Sequence, residues 1–139
     1  MNPEASATER TRATAVGAFE RFKEGLATGR WQGFLDLLAD DFSFYFPTGM
    51  WHGEWRGRAK AAEFFAYVST VFPEGLEVTL DRILCSDTTC VFEFRDRGTM
   101  VIPGQSPQPY ENRVAVSLDV RGDRIVGYRE YFGSDGRSS

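Results

Sequence analysis

Apolar residues in the first half of the chain recur every three or four positions, a spacing that predicts helices. A first helix should run from about residue 8 to about residue 27, because Ser6 and Glu9 match the capping box that begins a helix. A short second helix should follow Gly29, and a third should run from about Arg58 to about residue 71. The apolar faces of the first two helices are formed by Ala15, Phe19, Phe22, Leu26, Trp31, Phe34, Leu35 and Leu38.

Apolar and polar residues alternate in the second half of the chain, which predicts strands. Four strands in succession should form a meander over residues 77–84, 89–99, 110–120 and 124–132. An earlier strand is predicted over residues 42–46. The segment of residues 47–57 that follows it contains one proline and three glycines, so it is predicted as a loop.

The order of these elements, α-α-β-α-β-β-β-β, predicts an α+β fold. In this fold the three N-terminal helices cover one face of a curved, mixed but mainly antiparallel sheet. A chain of 139 residues has the usual size of one domain. We therefore expect a single domain over residues 1–139, with an ordered core from about residue 7 to about residue 133.

Composition and charge narrow the possible partners. Aromatic residues make up 14% of the chain, which is a high share. The net charge is −4, and the absence of any run of lysine or arginine argues against nucleic acid and anionic membranes as partners. The sequence after Met1 does not resemble a secretory signal, and no apolar run has transmembrane length. These features predict a cytoplasmic protein.

The two cysteines, Cys85 and Cys90, flank a predicted hairpin turn, so they could face each other. A disulfide that closes so short a loop adds little stability. The sequence therefore favours two reduced thiols that act as small apolar side chains.

Three motifs carry a resemblance to a known family. Residues 38–42 (LADDF) precede the first strand, Gly57 and Arg58 begin the third helix, and residues 125–132 (IVGYREYF) end the last strand. Together with the order of elements, they resemble the nuclear-transport-factor-2-like superfamily, most closely its SnoaL-like and ketosteroid-isomerase-like branch. The resemblance implies a cone-shaped α+β roll that forms a homodimer through its sheet. It also implies a ligand pocket between the helices and the concave face of the sheet, and no cofactor.

The resemblance to ketosteroid isomerases can be tested at the positions of their catalytic residues. Their general-base carboxylate aligns with Phe46 and their oxyanion-binding tyrosine aligns with Phe22, so both groups are lost. Their second oxyanion donor aligns with Asn112, whose amide can still donate to a carbonyl. Asn112 is therefore a candidate catalytic residue, and the alternative is a strand-end amide that serves only structure.

The resemblance to limonene-epoxide-hydrolase-like enzymes offers a second test. Those enzymes use an arginine that bridges two acids. Glu130 aligns with one acid and Arg95 with the arginine, but the other acid aligns with Arg97. This departure makes epoxide hydrolysis the less favoured chemistry.

Glu130 alternates with Tyr128 and Phe132, so these three side chains should share one face. A carboxylate among aromatic rings has a raised pKa unless a cation pairs with it, and Arg95 or Arg97 could be that cation. The sequence leaves open which face of the strand over residues 89–99 meets the pocket. Either the phenylalanines at 92 and 94 point inward, or the charged residues between them do.

His52 is the only histidine, and its position in the predicted loop makes it a candidate proton carrier. The alternative is a solvated surface residue. One histidine without a cysteine pair or a close carboxylate cluster lacks the spacing of a metal site, so no metal is expected.

Aromatic side chains should form the pocket walls, which favours a flat, apolar or aromatic ligand. The alternative is a filled core with no cavity. The leading hypothesis is a small cofactor-free enzyme, similar to polyketide cyclases, that isomerises, cyclises or dehydrates an apolar carbonyl compound. A non-catalytic binding or carrier domain and a purely structural dimer module are the alternatives. The predicted ligand-binding residues are Phe22, Phe46, Trp51, Trp55, Phe64, Tyr128 and Phe132.

Overall fold

The computed structural model describes residues 5–133 and contains three helices in that range. A single 3-10 turn, Gly49–Trp51, lies between the second and third helices. None of the helices within residues 5–133 is both long and apolar enough to cross a membrane. The helices are α1 (Ala7–Thr28), α2 (Gln32–Leu35) and α3 (Arg58–Val71).

Six strands form one open, curved sheet with the order β2-β1-β6-β5-β4-β3. Every neighbouring pair is antiparallel except β1 and β6, which are parallel. The mixed, mainly antiparallel sheet predicted from the sequence is therefore confirmed. The strands are β1 (Leu38–Phe46), β2 (Gly53–Arg56), β3 (Leu76–Cys85), β4 (Thr89–Met100), β5 (Gln108–Arg121) and β6 (Arg124–Phe132).

Two boundaries differ from the sequence prediction. The predicted loop of residues 47–57 contains the edge strand β2, which pairs with β1 from Gly53 opposite Phe46 to Arg56 opposite Ser43. A four-residue strand between glycines is too short to show an alternating pattern. The second helix is also shorter than predicted, because Leu38 enters the sheet and pairs with Ile125 instead.

Helix α1 begins and ends as its sequence predicts. The Ser6 side chain accepts a hydrogen bond from the Glu9 backbone N–H, and Glu9 accepts one from the Ser6 N–H in return. At the other end Gly29 adopts a left-handed conformation with φ of 80°, which favours glycine. The Phe19 ring of this helix stacks on Phe92 of β4 with ring centroids 4.4 Å apart. This stack fixes the helix over the sheet.

The structure answers which face of β4 points inward. Phe92 and Phe94 are buried beneath the helices, and so is Asp96, which continues the same alternation. Arg95 and Arg97 lie on the outer face, where they form ion pairs with Asp81 and Glu77 of β3. Burial of the phenylalanines therefore decides the orientation of this strand.

Cys85 and Cys90 form a disulfide, so the favoured interpretation of two reduced thiols is wrong. The two residues are direct cross-strand partners at the end of the β3–β4 hairpin. The sequence indicates that the two cysteines could face each other, but the small stability gained from closing a short loop does not decide whether a disulfide forms.

We predict opposite effects for two glycine substitutions in α1. A Cβ atom on Gly25 would overlap the Trp31 indole ring, so Gly25→Ala should lower the free energy of unfolding by about 1–3 kcal/mol. A Cβ atom on Gly17 would meet nothing within 4 Å, so Gly17→Ala should raise it by about 0.5–1 kcal/mol through helix propensity. Urea denaturation of both variants measures these changes. Equal effects would contradict the close approach of Trp31 to the helix.

Candidate functional site

A cavity of about 520 Å³ lies between the helices and the sheet face that they cover. Helices α1 and α3, the segment from Pro47 to Trp51, and strands β3 to β6 all contribute to its walls. Half of the residues that line it are aromatic. They are Phe22, Phe46, Trp51, Phe64, Phe65, Tyr67, Phe72, Phe94, Tyr110, Tyr128 and Phe132.

Glu130 lies on the cavity wall, on the same face of β6 as Tyr128 and Phe132. The buried Tyr128 hydroxyl donates a hydrogen bond to the Glu130 carboxylate. Removal of this carboxyl group from water raises its pKa to about 8, the hydrogen bond from Tyr128 opposes the rise, and the nearby negative charge of Asp96 adds to it. Glu130 is therefore mostly protonated at neutral pH.

Asp96 is a second carboxyl group in the cavity, and the sequence analysis did not select it. Only 5% of the residue is exposed, and its Oδ1 atom has no hydrogen-bond partner within residues 5–133. Burial raises the pKa of Asp96 to about 7, although a hydrogen bond from its own backbone amide lowers it somewhat. The side chain is therefore a titratable group close to neutrality.

Asp96 and Glu130 belong to two strands separated only by β5. Asn112 lies opposite Asp96 on β5, and Val116 lies opposite Glu130. Because the charge of Asp96 raises the pKa of Glu130, the two groups titrate as an interacting pair. The pair holds one proton in the range between the two pKa values.

Asn112 is buried but does not line the cavity. Its Nδ2 atom donates to the Tyr110 hydroxyl at 3.3 Å, and its Oδ1 atom accepts from the Arg113 N–H at 2.9 Å. The inward orientation predicted for Asn112 agrees with this burial. Its amide donates to Tyr110, which lines the cavity, so Asn112 can position that residue, and a direct catalytic role for Asn112 stays a prediction.

Two other predicted catalytic residues lie away from the cavity. Arg95 is on the outer face of the sheet, bound to Asp81, so the expectation that it could pair with Glu130 is wrong. His52 is exposed, and its ring lies 6.1 Å from that of Tyr45 and outside the cavity lining. The exposed position of His52 gives no support to a role in proton transfer at this cavity, and that role stays a prediction.

The predicted ligand-binding residues lie together, with one exception. Trp55 does not line the cavity but packs on Trp51, with ring centroids 5.0 Å apart, and its indole N–H donates to the Trp51 carbonyl at 2.8 Å. Trp55 therefore supports the wall from outside. The six that line the cavity are Phe22, Phe46, Trp51, Phe64, Tyr128 and Phe132.

A signal for Asp96 was present in the sequence. Asp96 has the same strand parity as Phe92 and Phe94, so an inward orientation of those phenylalanines also directs Asp96 inward. The alignment with epoxide hydrolases instead selected Arg95 and Arg97, one position away on either side. A shift of one residue moves every side chain of a strand to the other face.

The carboxyl pair gives this cavity a capacity for proton transfer. An ionised Asp96 can accept a proton, while a protonated Glu130 can donate one. Within the described part of the chain, no group of three or more histidine, cysteine or acidic side chains is arranged to hold a metal ion.

Comparisons with known proteins agree with this architecture. The chain matches a solved NTF2-like protein from Anabaena variabilis with 51% identity and a TM-score of 0.85, covering 99% of this chain and 100% of that one. It also matches an LEH-like epoxide hydrolase from Mycobacterium tuberculosis with 23% identity, a TM-score of 0.68, and coverage of 90% and 86%. A protein from Jannaschia sp. assigned as a SnoaL-like polyketide cyclase matches with 16% identity, a TM-score of 0.75, and coverage of 95% and 91%. No curated protein matches the sequence.

The profile of the SnoaL-like domain matches residues 19–128, which is most of the chain. This match includes α1 from Phe19 onward, all of α3 and all of β4, which carries Asp96. The chain therefore belongs to the SnoaL-like family, within the nuclear-transport-factor-2-like superfamily.

Proposed function

We propose that this protein is a cofactor-free acid–base enzyme that isomerises, cyclises or dehydrates an apolar, carbonyl-bearing small molecule. One observation carries the proposal. Asp96 and Glu130, two carboxyl groups with pKa values of about 7 and about 8, both line one aromatic cavity. Pairs of titratable groups whose environments separate their pKa values are a common basis for acid and base roles.

Asp96 acts as the base in this proposal, and Glu130 acts as the acid. Asp96 takes a proton from the carbon next to the substrate carbonyl, and the electron pair of the broken C–H bond moves to form a carbon–carbon double bond. The carbonyl oxygen receives the displaced pair and the proton of Glu130. Tyr128 orients Glu130 through its hydrogen bond, and the aromatic walls exclude water from the reacting groups.

The roles proposed for other residues differ from those suggested by the sequence. Asn112 acts as a positioning residue that holds Tyr110 at the cavity wall. Phe46 and Phe22 occupy the positions that align with the general base and the tyrosine of ketosteroid isomerases, and their apolar rings line the cavity. Proton transfer is therefore assigned to Asp96 on β4 and Glu130 on β6, and not to a residue on β1.

Similar proteins support acid–base chemistry of this general kind. The neighbours include a protein assigned as a polyketide cyclase and an epoxide hydrolase. Epoxide hydrolysis is the less supported activity, since the arginine expected to bridge two acids is absent from the cavity lining within residues 5–133.

A carrier domain is the second candidate function. The apolar side chains of Phe22 and Phe46 enlarge the ligand-binding wall at the two positions where isomerases carry catalytic groups. A carrier would use Asp96 and Glu130 only to bind. A homodimer through the outer face of the sheet is compatible with either function, and Leu84 and Tyr131 are exposed on strands of that sheet.

We predict that Asp96→Asn and Glu130→Gln each lower kcat by on the order of 10²–10⁴-fold, because each change removes one proton-transfer group. The affinity for a neutral ketone should change by only a few fold. Turnover is measured on aromatic ketones, steroid ketones and polyketide-like anthraquinones, after a thermal-shift screen finds which of them bind.

Asp123→Asn is the matched control, because it makes the same chemical change in an exposed turn and should leave kcat unaltered. Weaker binding by the site variants, together with no turnover of any bound compound by the unmodified protein, would favour the carrier function. Full activity of both site variants would refute the proposed chemistry.

We also predict a bell-shaped dependence of kcat/KM on pH. The rate should rise as Asp96 ionises near pH 7 and fall as Glu130 loses its proton near pH 8. The alkaline limb should disappear in Glu130→Gln, because an amide does not titrate. A single rising limb in the unmodified enzyme would show that Glu130 is not the acid.

A further inference from the structure

The Oδ1 atom of Asp96 is a buried acceptor without a donor. Only 5% of the residue is exposed, this oxygen has no partner among the described residues, and the side chain lines the cavity. A buried carboxylate oxygen without a hydrogen bond costs stability. A ligand that brings a donor to this oxygen would remove that cost.

The charges around the cavity favour a positively charged donor. Glu130 places a second carboxyl group on the same wall, and the lining formed by residues 5–133 includes no lysine, arginine or histidine. An anionic ligand would add a further negative charge to this lining. A neutral donor could satisfy Oδ1 but would leave the charge of Asp96 unbalanced, whereas a cation would balance it.

The walls favour the same kind of ligand. Aromatic faces attract cations within about 6 Å of the ring centroid, and the attraction is strongest where water is excluded. Phe94 and Tyr128 line the cavity on β4 and β6, the two strands that carry the acids.

From these observations we infer that the ligand of this cavity is a lipophilic amine, which binds as an ammonium ion with an N–H group directed at Asp96 Oδ1. The inference rests on the proposed function and adds a basic nitrogen to the apolar carbonyl compound. Binding leaves the ammonium N–H bond intact, so the proton that Asp96 accepts in the proposed reaction still comes from the carbon next to the carbonyl.

Three compounds of matched shape test the inference: naphthylmethylamine, naphthylmethanol and naphthoate. Calorimetry at about pH 8, where Asp96 is ionised, should give the amine at least about tenfold tighter binding than the alcohol, because both donate a hydrogen bond but only the amine carries charge. Naphthoate should bind most weakly. Asp96→Asn should reduce the amine affinity to that of the alcohol, and Asp123→Asn should leave the preference unchanged.

The dependence on pH gives an independent readout. The titratable groups that face the cavity with Asp96 are Glu130 and Tyr128 of β6, Tyr110 of β5 and Tyr67 of α3. Amine affinity should rise from about pH 6 to about pH 8 as Asp96 ionises, while alcohol affinity should stay nearly constant. The Asp96→Asn variant should lose most of this rise.

Equal or tighter binding of the alcohol would overturn the inference, and so would failure of the amine to bind. These results are separable from failure of the proposed function. Turnover of a neutral ketone that depends on Asp96 would support the enzyme and refute the amine. An amine preference that depends on Asp96, without turnover of any amino ketone, would support the ligand class and refute the enzyme.

Discussion

The stacked contact between Phe19 of α1 and Phe92 of β4 is the constraint on which the site depends. It requires β4 to turn its phenylalanines toward the helices, and the two-residue period of a strand then places Asp96 on the same face. The energy for burying that carboxyl comes from neighbouring apolar side chains, since a buried aromatic ring contributes about 1.5–3 kcal/mol. The position of the functional group is thus a consequence of core formation.

Much of the fold could be predicted because its signals are local. The capping box at Ser6, the left-handed Gly29 and the long alternating strands each depend on residues close in sequence. Strand β2 lacked such a signal, since its four residues are held by pairing with β1 and not by their own pattern. The disulfide between Cys85 and Cys90 likewise depends on the register in which β3 and β4 pair. The length of the loop between the cysteines does not determine that register.

The site was less predictable because it depends on strand parity and on long-range charge. Phe22, Phe64 and Phe132 could be selected as wall residues, since apolar residues of covered elements meet in one place. Asp96 could not be chosen until the orientation of β4 was known. The alignment favoured Arg95, which lies on the outer face of β4, because adjacent residues of a strand point to opposite faces.

The two carboxyl groups also place the site in conflict with stability. Burial raises their pKa values from 3.8 to about 7 for Asp96 and from 4.5 to about 8 for Glu130, so the folded chain binds these protons more tightly than the unfolded chain does. The resulting stabilisation is complete below the unfolded pKa values and is lost as the pH rises through the folded ones. At neutral pH the protein therefore holds an acid pair that its own fold disfavours in the charged form. A bound cation would reverse that preference, because it stabilises the ionised carboxylate in the same low-dielectric surroundings that penalise an unpaired charge.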